Sequence, residues 1–288
     1  MKKILTTLVA ILSSGILGLS AITNTKTAKA DDNDTPVVTL GTSLTASQKQ
    51  GTIDTLTQSL NGANYTTITI TGSDLVKYLN PSGYDFTDNS GVWSSAMVQK
   101  TSSGSGINVH ILPYNGHNNI TTITANQYKN AALTAGISDA DIYVTSATPI
   151  DGSGALAGVY AAYAKNGDSL NQKQINAAQT EMNTLSKITS QNKGKDGYSD
   201  AQLNNAVAGA KKEMAKQGQN ISDSQVRDIV NNQININHLG DTITNNQKEQ
   251  IINVLIKVKN SGALKDKNFQ QQASQLTDQI QSGAKNIF

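Results

Sequence analysis

The stretch Asp141-Ile142-Tyr143-Val144-Thr145, followed shortly by Pro149-Ile150-Asp151-Gly152-Ser153-Gly154-Ala155-Leu156-Ala157-Gly158, decides the fold class. Its first part alternates as a strand, and its second turns through glycines into a helix over residues 154–165. Upstream the same alternation of periods recurs. Residues 37–40 read as a strand, 45–60 as a helix, 65–71 as a strand, and 73–79 as a short helix stopped by Asn80-Pro81. Residues 93–101 and 107–112 read as two strands paired across 102–106, with Gly104-Ser105-Gly106 as a flexible hairpin turn. A helix over 124–135 is closed by Gly136. Strands alternating with helices predict an α/β sandwich on a mixed sheet for residues 37–165.

Downstream of Asn166-Gly167-Asp168 the strand signal stops. One local pattern then repeats: an apolar residue, a Ser, Thr or Asn, two more residues, and a Gln. It begins the sequences at Asn171, Ser199, Ser222 and Thr244, and also occurs upstream at Thr45 and Thr124. Physically this is a capping box, in which the cap oxygen accepts from the N3 amide and the Gln reaches back. Apolar stripes at helical spacing follow, such as Leu203, Ala206, Val207, Ala210 and Met214, and several end on a glycine. Residues 166–288 therefore read as an all-helical domain of about five helices, α+β or α/β overall. The stripes are expected to face a shared core, with Gln, Asn and Lys outside. The three glutamates, Glu181, Glu213 and Glu249, are placed on helix surfaces.

The two parts differ in charge. Residues 31–165 carry 5 basic and 10 acidic side chains, whereas 166–288 carry 14 and 11 and are rich in amides, with 35 Asn or Gln in 123 residues. Ahead of both, residues 1–30 read as a cleavable leader: Lys2 and Lys3, an apolar stretch, then Ala28-Lys29-Ala30. The apolar stretch is shorter than the roughly 20 residues of a span, and no cysteine is available to carry a lipid. Residues 31–36 read as a disordered mature N-terminus. Removing the leader leaves 19 basic and 21 acidic residues, about −2 net, which argues against nucleic acid as a partner. A secreted, extracellular product with no membrane span is expected, and a cysteine-free one suits bacterial export.

The motif that comes nearest to a site is Asp151, Gly152, Ser153 and Gly154, where a helix N-terminus could take an anion. The plainer reading assigns these glycines to a tight turn and close helix packing. No Gly-Lys-Ser/Thr follows, so it is not a phosphate loop. His110, His117 and His238 form no metal-spaced pair, and no Gly-x-Ser-x-Gly nucleophile motif is present. Asp139 and Asp141, and Asp85 with Asp88, do not make a calcium loop. No catalytic residue, metal or cofactor is assigned.

The ordered set Val38-Thr39-Leu40-Gly41, Ser94-Ser95-Ala96, residues 104–109, Asn130-Ala131-Ala132-Leu133-Thr134-Ala135-Gly136-Ile137, Asp139-Ala140-Asp141-Ile142, Gly152-Ser153-Gly154-Ala155-Leu156-Ala157-Gly158 and Tyr160-Ala161-Ala162-Tyr163 resembles the YpuA-like family. These are exported Gram-positive bacterial proteins of unknown function. The resemblance implies export and a shared architecture, and no reaction. The leading reading is a non-enzymatic secreted or envelope-associated protein that binds a cell-wall polymer or an extracellular protein. The alternatives are a secreted hydrolase with its site near 149–154 and Ser94-Ser95, or a helical protein–protein scaffold. Oligomeric state is left open.

Overall fold

A computed structural model describes residues 35–83 and 85–285. The leader and most of the 31–36 segment lie outside the described residues. Five strands, β1 (Val37–Gly41), β2 (Thr66–Ile70), β3 (Ser94–Lys100), β4 (Ile107–Ile111) and β5 (Ala140–Ser146), form one sheet in the order β2-β1-β3-β5-β4. The pairs β1–β2 and β4–β5 are parallel, and β3 runs antiparallel to both neighbours. The mixed α/β sandwich read from the sequence is therefore what forms.

One pairing differs. β3 and β4 make no hairpin, because β5 lies between them and pairs with both. β5 is more fully buried than β4, so its inner position gives its apolar side chains cover on both faces while β4 takes the edge. The connection over 101–106 must then step across a whole strand. Asp139 holds it there: one carboxylate oxygen accepts from the amides of Gly104 and Gly106, each at 3.0 Å. Both glycines have φ above +80°, a left-handed conformation that a side chain would strain.

Helix α1 (Ala46–Thr57) covers one face of the sheet over a small cluster of Val38, Leu40, Leu56, Leu60 and Met97. The other face receives α4 (Ser153–Lys165), which is buried on nearly every side, as its almost unbroken apolar composition requires. Gly154 and Gly158 let it approach closely. A Cβ at Gly158 would sit 2.4 Å from the Thr39 hydroxyl, and one at Gly154 would sit 2.9 Å from that of Ser94. Helix α2 (Gly72–Leu79) packs beside α4, and α3 (Ala125–Ala135) covers β4.

The remaining helices are α5 (Gln172–Asn192), α6 (Asp200–Gln217), α7 (Asp223–Ile236), α8 (Asn245–Ser261) and α9 (Phe269–Gly283), the five expected. Helices α5, α6 and α9 pack on α3, and α7 and α8 pack in turn on α6 and α5. One hydrophobic cluster runs without a break from Val37, Val98 and Val144 of the sheet through Leu156 and Leu133 to Met182, Leu203, Leu255 and Ile280. All described residues belong to a single compact unit. The change of composition at residue 165 thus marks a change of secondary structure within a continuous core.

Capping geometry follows the repeated pattern with two exceptions. Complete boxes form at Thr45, Thr124, Ser222 and Thr244. Asn171 instead accepts from the Lys173 amide at 2.8 Å. At Ser199 the hydroxyl caps Gln202, but the Gln202 amide reaches across to the Asn237 carbonyl, 3.1 Å away. Gln202 thus serves both, since its side-chain oxygen still accepts from the Ser199 hydroxyl at 2.9 Å.

Burial corrects two further expectations. Glu181 is on no surface: it and Lys211 are both fully buried and paired. Polar side chains are likewise not confined to outer faces, since Gln127, Asn130, Gln179, Asn204, Asn205 and Asn237 are all interior. Each lies where helices meet, which no single-helix period can reveal.

Candidate functional site

The three helix ends that matter are those of α3, α5 and α6. Thr124 caps α3, Thr189 stands in the last turns of α5, and Asp200 opens α6 after its cap Ser199. Asp200 is drawn into the junction by five side chains. One of its oxygens accepts from Thr124 Oγ1 at 2.9 Å and Asn126 Nδ2 at 3.4 Å. The other accepts from Asn204 Nδ2 at 3.0 Å, and from Gln127 Nε2 and Thr189 Oγ1 at 3.3 Å. The carboxylate thus sits at the N-termini of two helices, where exposed amides and the helix dipoles favour negative charge. Burial nevertheless pushes its pKa above the usual carboxylate value, and the hydrogen bonds from Thr124, Asn126, Thr189 and Asn204 oppose that rise.

Beside Asp200, the Tyr198 hydroxyl lies 2.9 Å from Thr189 Oγ1. Burial is the main reason that its pKa is pushed up to about 12; the Thr189 bond lowers it and the Asp200 charge adds to the rise. These groups form part of the wall of a cleft of about 510 Å³, within the common size of small-ligand sites, roughly 300–1,000 Å³. The opposite wall is the 118–125 segment, and Ser186, Ser190, Lys193 and Gly194 complete the rim. Eight of its sixteen lining residues carry a hydroxyl; Ile111, Ile120, Ile123 and Ala125 give apolar patches, and Lys193 and Asp200 are the two charges.

From Asp200 a chain of polar contacts runs inward. Asn204 bridges to Asn130, whose side-chain oxygen and carbonyl accept from Lys211 Nζ at 3.1 and 2.8 Å. Lys211 donates to Glu181, and Thr134 Oγ1 donates to the other oxygen of Glu181 at 2.6 Å. Burial raises the pKa of Glu181 and lowers that of Lys211, while their mutual attraction opposes both shifts.

The residues singled out in the sequence lie behind this cleft rather than in it. Asp151 accepts from the Ser153 amide at 3.1 Å and from its hydroxyl, and the Gly152 carbonyl accepts from Tyr128 at 2.7 Å. Ser94 accepts from the Ala155 amide at 2.8 Å. The amides of Ser153 and Ala155 at the start of α4 are thus taken up by the protein's own oxygens. Gly154 faces Ser94 and Val92. The turn instead supports the cleft wall: the Ile123 amide bonds to the Asp151 carbonyl and Ile120 bridges to Ile150. Ser95 is buried with its hydroxyl on the Gly41 amide. Asp139 is spent on the 104–106 connection and on Gln272. Among the described residues, no group of three His, Cys, Asp or Glu could hold a metal ion.

Asp200 and Tyr198 were not singled out by sequence. The cap signals at Thr124 and Ser199 were visible, but nothing in the linear order says that the two helix starts converge.

All of these elements lie inside the region matched by one family model, the protein of unknown function DUF1002, over residues 40–276. The chain belongs to the DUF1002 family. It is 30% identical over 226 residues to the uncharacterized protein YpuA of Bacillus subtilis (strain 168), spanning 78% of this chain and 72% of that protein. No solved structure matches. The whole cleft of this DUF1002 protein, from Ile111 to Asp200, falls within the matched region.

Proposed function

We propose that this is an exported, non-enzymatic binding protein, and that its cleft at Asp200 takes a neutral, polyhydroxylated ligand such as a saccharide unit of an envelope polymer. The observation that carries this is the lining: the exposed Ser190 beside hydroxyls already oriented by internal bonds, such as Thr121, Thr124, Ser186 and Thr189, set among small apolar patches and one aromatic ring. Sugars present the same mixture, with hydroxyl edges around apolar C–H faces. Lys193 and Asp200 offset one another in charge, and Asp200 already has its acceptor sites filled. A neutral ligand therefore suits the cleft better than an anion. Binding rather than turnover is favoured because Asp200 is the one carboxylate in the lining and Ser94 and Ser95 are bound internally. Export rests on the leader-like composition of residues 1–30.

Calorimetric titration with a panel of neutral oligosaccharides, plain and N-acetylated, tests this. Binding is expected, and Ser190→Trp, which fills the exposed rim, should abolish it with an unchanged melting temperature. Absence of binding, binding untouched by Ser190→Trp, or preference for an anionic polymer would each refute the reading.

A further inference from the structure

The two edges of the sheet are finished differently. At β4, Ile107 and Val109 are buried, and α9 reaches the strand and its approach through Gln275, which donates to the Gly104 carbonyl, and Gln279, which donates to Asn108 Oδ1 at 3.1 Å. At β2 the side chains of Thr66, Thr67 and Thr69 are exposed.

The hydrogen-bond phase of β2 follows from its register. The Thr66 amide bonds to the Pro36 carbonyl and the Ile70 carbonyl accepts from Thr42, both at 2.9 Å. With Thr66 opposite Val37 and Ile70 opposite Gly41, parallel pairing turns the backbone of Thr66, Ile68 and Ile70 toward β1. It turns the N–H and C=O of Thr67 and Thr69 outward. Residues 63–71 contain no charge and no proline, and β2 carries no bulge against β1. Charges, prolines and bulges are the features by which exposed edges are usually protected from pairing, and β2 lacks all three.

We propose that two copies of the chain join along β2, antiparallel, about a two-fold axis at Ile68. Thr67 of each copy then exchanges both backbone bonds with Thr69 of the other, so that the outward-facing donors and acceptors meet in phase. Pairing ends at Thr71, whose amide is bound to Asp74 Oδ2 at 2.8 Å. The absence of charge matters for this occupant in particular. A two-fold axis sets like charges against each other, which destabilises a strand pair, and this strand has none to oppose. Ile68 is half-buried against the main core, and its symmetry mate closes that core across the axis. The two five-stranded sheets become one.

The natural chain has no cysteine, so an introduced thiol reports its own neighbour. In an antiparallel, non-hydrogen-bonded pair the facing Cα atoms are about 4.5 Å apart, within disulfide range. Ile68→Cys should form a disulfide-linked dimer under mild oxidation, and Thr66→Cys, displaced along the strand from its mate, should not. By sedimentation equilibrium the unmodified chain should dimerise. Thr69→Lys should raise the dimer dissociation constant at least about tenfold without lowering the melting temperature. Thr67→Pro should act likewise, because it removes only an outward donor. A monomer at every concentration, equal cross-linking at positions 66 and 68, or a dimer indifferent to both edge variants would overturn the proposal.

Discussion

Lys211 places its amine where no water reaches, and the three acceptors around it are what permit that burial. Removing one partner of such a pair leaves the other charge buried. Lys211→Met is therefore expected to cost about 3–5 kcal/mol by urea unfolding at neutral pH. The pH dependence has a definite sign. The folded pKa of Glu181 is raised by burial, and losing Lys211 removes the attraction that held it down. A raised folded pKa gives stability that is full below the unfolded carboxylate value and is lost as pH rises through the folded value. The variant should thus be less stable at pH 8 than at pH 5. The double variant Glu181→Leu with Lys211→Met should recover most of the loss, since well-packed apolar replacements of buried pairs are often neutral. Equal stability of the single variant at both pH values would contradict this assignment of charge.

Among the elements, the repeated caps separate into local and tertiary kinds. Ser222 bonds within its own box with Gln225, so Ser222→Ala should cost about 1 kcal/mol. Thr124 caps α3 and also donates to Asp200 of α6. Thr124→Ala should cost more, about 2–3 kcal/mol, because a buried carboxylate loses a donor as well. Denaturant midpoints of the two variants at equal slope would measure the difference. Both positions have the same sequence signature. The capping residues were legible because the bond that defines them closes within four residues. The second role of Thr124, the shift of the Gln202 amide to Asn237, and the burial of Glu181 were not, because each depends on another helix. The same holds for β3, β4 and β5. Their alternation identified all three as strands, but the hairpin expected from nearness in sequence lost to the better-covered order with β5 between.

For the whole molecule, the unbroken core has a mechanical consequence. The face of α3 that the sheet does not cover is buried by α5, α6 and α9, and Tyr160 of α4 is bonded to Gln179 of α5. A fragment ending at residue 166 should expose that surface and fail to give a cooperative thermal transition, whereas the chain through residue 285 should unfold in one step. Two separate transitions in the full chain would show instead that the parts are independent. The sequence by itself determined the elements, their order and the division into a sheet-bearing and a helical part, because periodicity, caps and glycine stops are properties of a few consecutive residues. Tertiary structure alone decided the strand order, the single core, the buried Glu181–Lys211 pair and the Asp200 cleft. Each of these arises where segments far apart in the chain meet, and the free energy that selects them, burial against hydrogen-bond satisfaction, exists only after they have met.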